Sequence, residues 1–219
     1  MCSRYANGDN YVGTFERDEK HGFGTLTFAS GAFYVGEFLE GRKHGKGEYT
    51  FIDGAKYVGD FKNEKRTGHG VYRYASGGVY EGQFKNGQRH GRGKYLCHTG
   101  LKYDGGWKND LKSGEGHCKY ANGDMYEGGF ADGQRYGEGT MWYADGKIYI
   151  GSFKNEKFHG FGIMRSAKGN IIYKGEYVDG HKVVTNMSSP KSRDTSTLAA
   201  EKALSRSTIF NQPQGRSRG

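Results

Sequence analysis

Four histidines, His21, His44, His90 and His159, are the side chains best suited to chemistry, and their separations are multiples of one 23-residue step. A metal would need several of them within about 2.1 Å of one ion. Residues that recur once per two-stranded unit instead stand about 10 Å apart, so they support hydrogen bonding ahead of a Gly-x-Gly turn and no metal site. Cys2, Cys97 and Cys118 are three thiols without framework spacing, which suits a reducing compartment. Cys97 and Cys118 fall on inward strand positions and read as small core residues, not nucleophiles. The Gly-x-Gly pairs lead into strands, so no helix N-terminus waits for a phosphate. No catalytic triad or carboxylate dyad stands out. The reading is a non-enzymatic chain with no cofactor and no metal.

The elements behind this spacing are repeats. Tyr11, Tyr34, Tyr57, Tyr80, Tyr103, Tyr126 and Tyr149 recur every 23 residues, and Tyr173 follows after 24 because one residue is inserted at Asn170-Ile171-Ile172. With Tyr as position one, position three is always Gly and position five an aromatic ring: Phe15, Phe38, Phe61, Phe84, Trp107, Phe130, Phe153 and Tyr177. Positions twelve, fourteen and twenty-one are Gly. Positions one, three and five share one face of a strand, and positions fourteen, sixteen and eighteen share one face of a second. The intervening positions are mostly polar. Each repeat therefore predicts a hairpin, with a His-Gly loop at positions six to thirteen and an Ala-Ser-Gly-type turn. One hairpin is marginal in water, so the repeats must stack into an elongated single-layer antiparallel β-sheet solenoid. At about 4.8 Å per strand, seven repeats predict a body roughly 70–80 Å long.

Tyr80-Glu81-Gly82-Gln83-Phe84-Lys85-Asn86-Gly87-Gln88-Arg89-His90-Gly91-Arg92-Gly93 resembles the MORN (membrane occupation and recognition nexus) motif. The resemblance extends over residues 5–181; Thr67, Ser113 and Tyr136 replace the usual His, and Trp107 the usual Phe. It implies a twisted antiparallel sheet with an aromatic groove, in adaptors at cilia, flagella, cytoskeletal structures and membrane junctions. It predicts a half repeat at 1–10, seven full repeats at 11–172, a half repeat at 173–181, and a tail at 182–219. The tail is too short for the lipid kinase or methyltransferase domains fused to some similar repeats.

Most of the repeated rings read as core. A single-layer sheet has little to cover them, so Tyr57, Phe61, Tyr80, Phe84, Tyr103, Trp107, Tyr126, Phe130 and Tyr149 are expected to line a partner groove. Its occupant would be a helix or peptide of a cytoskeletal or ciliary protein. Position ten is cationic in six of seven repeats: Lys20, Lys43, Arg66, Arg89, Lys112 and Arg135. Read as more than solvated loop charge, these form an edge for acidic partners, including an anionic membrane surface. Position eight alternates between acid (Asp18, Glu64, Asp110, Glu156) and Gly (Gly41, Gly87, Gly133), which suggests two loop shapes.

The formal net charge is +9, and seven cations stand against two acids after residue 181. The basic tail reads as mostly disordered, with a possible short helix at 196–205 and a proline-directed phosphorylation motif at Ser189-Pro190. Nothing points to nucleic acid. Open sheet edges permit an end-to-end homodimer, and a cytoplasmic location, on the cytoskeleton or a ciliary or flagellar axoneme, follows from the resemblance.

Overall fold

The computed structural model describes residues 2–183. Every regular element among them is a β-strand. Two compact units divide the chain, residues 1–123 with 129–133, and residues 124–128 with 134 onward. The first holds β1 (Cys2–Arg4), β2 (Asn10–Glu16), β3 (Glu19–Thr27), β4 (Phe33–Leu39), β5 (Arg42–Thr50), β6 (Lys56–Lys62), β7 (Lys65–Arg73), β8 (Val79–Lys85), β9 (Gln88–Leu96), β10 (Lys102–Lys108) and β11 (Leu111–Lys119). Each pairs antiparallel with the next, making an open meander. The unit boundary runs through β12 (Met125–Ala131). The second unit continues with β13 (Gln134–Trp142), β14 (Ile148–Lys154), β15 (Lys157–Arg165), β16 (Ile171–Val178) and β17 (His181–Lys182). From β13 onward each strand again pairs with its successor. The expected helix at 196–205 and the Ser189-Pro190 motif lie outside the described residues.

The hairpin turns are tighter than the sequence reading. Only positions seven and eight turn, and both are left-handed: Arg17 and Asp18 have φ of 50° and 62°, Asn63 and Glu64 47° and 72°, Asn86 and Gly87 52° and 86°. Two consecutive positive-φ residues make a type I′ turn, whose twist matches that of the flanking strands. The His-Gly pair predicted as loop lies inside the second strand, as with His21 and Gly22 in β3. The predicted pair of loop shapes is also corrected, because acid-bearing and Gly-bearing turns share one backbone conformation.

Gly22, at position twelve, has φ of 62°, and the register of β2 on β3 shifts between Gly13 and Phe15, opposite it. Gly45 at φ 58° meets the same shift between Gly36 and Phe38. One residue is thus accommodated as a bulge, which strengthens twist and explains why this position is Gly.

The glycines at positions three and fourteen serve the core instead. A Cβ on Gly59 would stand 2.5 Å from the Tyr57 hydroxyl and 2.6 Å from the Cα of Gly70. Gly59 and Gly70 face each other across β6 and β7, and the Tyr57 ring lies flat over both. Bare backbone is what lets a single sheet bury a large ring against itself.

Candidate partner-binding face

Two layers of rings occupy the inner face. The lower layer is made by positions one and five. In the first unit each Tyr meets the ring of its own repeat and that of the next edge-on: Tyr34 lies 5.1 Å from Phe38 and 5.0 Å from Phe61, and Tyr57 5.2 Å from Phe61 and 5.0 Å from Phe84. The series continues through Tyr80, Trp107, Tyr103 and Phe130. In the second unit Tyr126 and Tyr149 both meet Phe153. Each such edge-to-face pair contributes about 0.5–1.5 kcal/mol beyond its buried area. The hydroxyls are used too: Tyr57 donates to the carbonyl of Asp60 at 3.0 Å and Tyr80 to that of Gln83 at 2.9 Å.

This layer is closed. Tyr57, Tyr80 and Tyr149 have no exposure, Tyr126 has 1%, Tyr103 2%, Phe61 4%, and Phe84, Trp107 and Phe130 5%. The nine residues expected to line a groove are therefore its packed floor. This agrees with the reading of most repeated rings as core, with glycine below and a neighbour's ring beside them. Burial also raises the hydroxyl pKa values of Tyr57, Tyr103, Tyr149 and Tyr80, the last to about 12.

The open rings come from positions sixteen and eighteen. In the first unit Phe28, Tyr49, Phe51, Tyr72, Tyr74 and Tyr95 are all half-buried. They form an unbroken ladder with centroid separations of 5.7, 4.5, 5.5, 4.6 and 5.8 Å. Their alternation was visible in the sequence, but not the exposure that separates them from positions one and five. In the second unit the equivalent residues include Met141, Tyr143, Met164 and Ser166, so the ladder belongs to the first unit.

The position-ten cations point over rings of both sets, not out from an edge. The Lys43 ammonium stands 5.0 Å from the Tyr49 centroid and 5.3 Å from that of Phe28. The Arg66 guanidinium lies 5.1 Å from Tyr72, and that of Arg89 4.2 Å from Trp107. Lys20 lies over Tyr5, Lys112 over Tyr103 and Phe130, and Arg135 over Tyr126 and Phe153. The reading of these six as a free cationic edge is replaced by one in which ring quadrupoles hold them.

The alternation at position eight has a structural consequence. At Glu64, Asp110 and Glu156 the carboxylate reaches back one repeat. Glu64 accepts from the Lys43 backbone N–H at 2.6 Å and pairs with its ammonium at 2.9 Å. Asp110 holds Arg89 through its backbone N–H at 2.9 Å and its Nε at 3.0 Å. Glu156 does the same for Arg135 at 2.7 and 2.8 Å. Where position eight is Gly the carboxylate is missing but the backbone contact is kept: Arg66 donates to the Gly87 carbonyl at 2.6 Å, as Arg89 and Arg135 do to the carbonyls of Asp110 and Glu156.

Among the described residues no group of three or more His, Cys, Asp or Glu is placed to hold a metal. No helix among them is long and apolar enough to cross a membrane. Of the four histidines, His21 pairs through Nε2 with Glu16 at 3.3 Å and the Nδ1 of His159 lies 3.8 Å from Asp179, whereas the Nδ1 atoms of His44 and His90 are buried without a hydrogen-bond partner among the described residues.

Sheet, ring register and glycine pattern together define a protein of stacked β-hairpin repeats. The MORN repeat model matches at residues 11–33, 34–56, 57–79, 80–102, 103–125, 126–148 and 149–171, and the chain belongs to this family. No curated protein sequence matches it. Among solved structures, the chain is similar to the SAS-4 (dCPAP) TCP domain of Drosophila melanogaster, in complex with a proline-rich motif of Ana2 (dSTIL), at 12% identity and a TM-score of 0.42, over 78% of this chain and 86% of that one. It is also similar to the TCP10 domain of Danio rerio CPAP, at 11% identity and a TM-score of 0.29, over 81% of this chain and all of that one.

Proposed function

We propose that the protein is a scaffold whose first unit captures an extended segment of a protein partner along the ladder Phe28–Tyr49–Phe51–Tyr72–Tyr74–Tyr95. The observation that carries this reading is a series of half-buried rings above a floor that is already fully packed. Such rings retain apolar surface that a partner would cover. Their period favours an extended segment over a helix. The ladder repeats every two strands, about 9.6 Å, and three residues of polyproline II advance about 9.3 Å. Every third residue of such a segment would meet an equivalent ring pair, whereas an α-helical turn of about 5.4 Å drifts out of step. The cations above the rings add donors for the segment's carbonyls.

A short polyproline peptide titrated into the full chain tests this, with an alanine-rich helical peptide as comparison. The expected result is tyrosine-ring NMR shifts confined to the ladder, and binding about tenfold weaker in the Y72A/Y74A variant, the loss typical of two central interface rings. Shifts with the helical peptide alone, or equal affinity of the folded double variant, would reject the extended-segment reading. A cytoskeletal or ciliary partner is consistent with the family and is part of the proposal; the ladder's chemistry does not choose the organelle. Membrane binding through position ten is disfavoured, because those cations are engaged with rings and, in alternate repeats, with carboxylates.

A further inference from the structure

The position-ten cations of the first unit are not electrically alike. Lys43 and Arg89 each form an ion pair with an acid of the next hairpin, Glu64 at 2.9 Å and Asp110 at 3.0 Å. Lys20, Arg66 and Lys112 meet Gly41, Gly87 and Gly133 at that place. Among the described residues none of these three forms an ion pair. The backbone does not distinguish the two sets. The position-eight N–H donates to the position-ten carbonyl in both, at 3.0 Å from Gly41 to Lys20 and 2.8 Å from Gly87 to Arg66, against 3.0 Å from Glu64 to Lys43 and 3.1 Å from Asp110 to Arg89. Only the counter-charge differs.

A ring quadrupole attracts a cation but carries no net charge. Lys20, Arg66 and Lys112 therefore each leave one positive charge uncompensated at the ring face. All three are half-buried, whereas Lys43, with its carboxylate, is buried. Arg66 holds the central place. Its guanidinium lies 5.1 Å from Tyr72, 5.4 Å from Phe84 and 5.6 Å from Tyr57, midway along the ladder. Its bond to the Gly87 carbonyl uses one of five N–H donors. A half-buried charge without a counter-ion attracts an anion strongly, because solvent screens it less, and a guanidinium is shaped to receive a carboxylate.

The spacing of these charges fits the period of the ladder. Lys20, Arg66 and Lys112 recur every 46 residues, which is two repeats or four strands, about 19 Å. Six residues of polyproline II advance about 18.6 Å. We propose that the segment captured by the ladder is acidic at every sixth residue, with its central carboxylate against Arg66 and its flanking ones against Lys20 and Lys112. The inference rests on the extended-segment reading and names the chemistry of that segment. A residue three places along would meet Lys43 or Arg89, whose charge Glu64 or Asp110 already balances. An acid there gains no cation and faces a carboxylate. The acids of position eight thus reject a segment charged at the wrong interval, which gives their alternation a use.

Proline-rich peptides of about thirteen residues, titrated into the full chain and read by fluorescence anisotropy, test the inference. One carries three glutamates six residues apart, a second carries glutamines at those places, and a third carries three glutamates three apart. The first should bind about fivefold or more tighter than the second, as for well-placed ion pairs. R66Q should remove most of that advantage and R66K should keep it. The first should also bind tighter than the third. D110N, which frees Arg89 of its counter-charge, should narrow that gap by strengthening the third. Damage to the fold cannot mimic such a gain, so D110N decides alone if R66Q does not fold. Equal binding of the glutamate and glutamine peptides, or an unchanged gap in D110N, would overturn the inference while leaving the extended-segment reading intact. Failure of every peptide to bind, the glutamine one included, would reject both. Capture by phosphatidylserine vesicles that R66Q abolishes, without preference among the peptides, would assign these cations to a lipid surface and overturn it too.

Discussion

At the residue scale the fold depends on pairs of facing glycines under each tyrosine. Gly59→Ala would force its Cβ to within 2.5 Å of the Tyr57 hydroxyl and 2.6 Å of Gly70. We expect a loss of about 1–3 kcal/mol, the cost of overpacking, read as a lowered urea midpoint. Gly31→Asn, at φ 94° with no atom within 4 Å of the built Cβ, should cost clearly less. The buried hydroxyls set the alkaline limit of stability. Burial raises Tyr80 from 10.0 to about 12, so the unfolded chain ionises first as pH rises. Its contribution is complete below pH 10 and is lost as pH climbs toward about 12. Urea midpoints should hold steady below pH 10 and fall between there and pH 12, with a shallower fall in Tyr80→Phe; a midpoint unchanged across that window would contradict the assignment.

At the element scale the carboxylates of position eight tie one hairpin to its neighbour. Asp110 accepts two hydrogen bonds from Arg89, which lies over Trp107. Asp110→Ala removes the Oδ1 that accepts both and leaves a side chain at φ 67° that suits Asp better than Ala. The expected cost is about 1–2 kcal/mol, checked by chemical unfolding. Asp110→Asn keeps the acceptor oxygen and the left-handed turn, and should recover most of the loss. Equal destabilisation by both would mean that charge alone matters. The regularity of these elements was largely legible beforehand: the Tyr-x-Gly-x-aromatic string gave the first strand, its face and its period. The turn was not, because Asn-Glu and Glu-Gly do not announce one conformation, and His-Gly looked like a loop until a bulge placed it within the strand.

At the scale of the molecule, stacked hairpins contact mainly their immediate neighbours, so stability is a sum of local terms. The terminal strands β1 and β17 have three and two residues and one pairing partner each. Native-state hydrogen exchange should therefore be fastest there and slowest at β5–β9 of the first unit, where each strand is paired on both sides. Uniform protection across β1–β11 would instead show that the unit opens only as a whole.

By itself the sequence determined the repeat, its two strands, the inward face and the family, because backbone periodicity and glycine placement are local and recur seven times. It could not rank the rings by exposure. Tyr57 and Tyr72 are both inward aromatics, yet one is wholly buried and the other half-open, since burial depends on which glycines and rings arrive from adjacent hairpins. Nor could it aim the position-ten cations: Lys43 lies over the Tyr49 ring and pairs with Glu64, one hairpin further on. Those contacts join residues about one repeat apart, and only the paired strands bring them together.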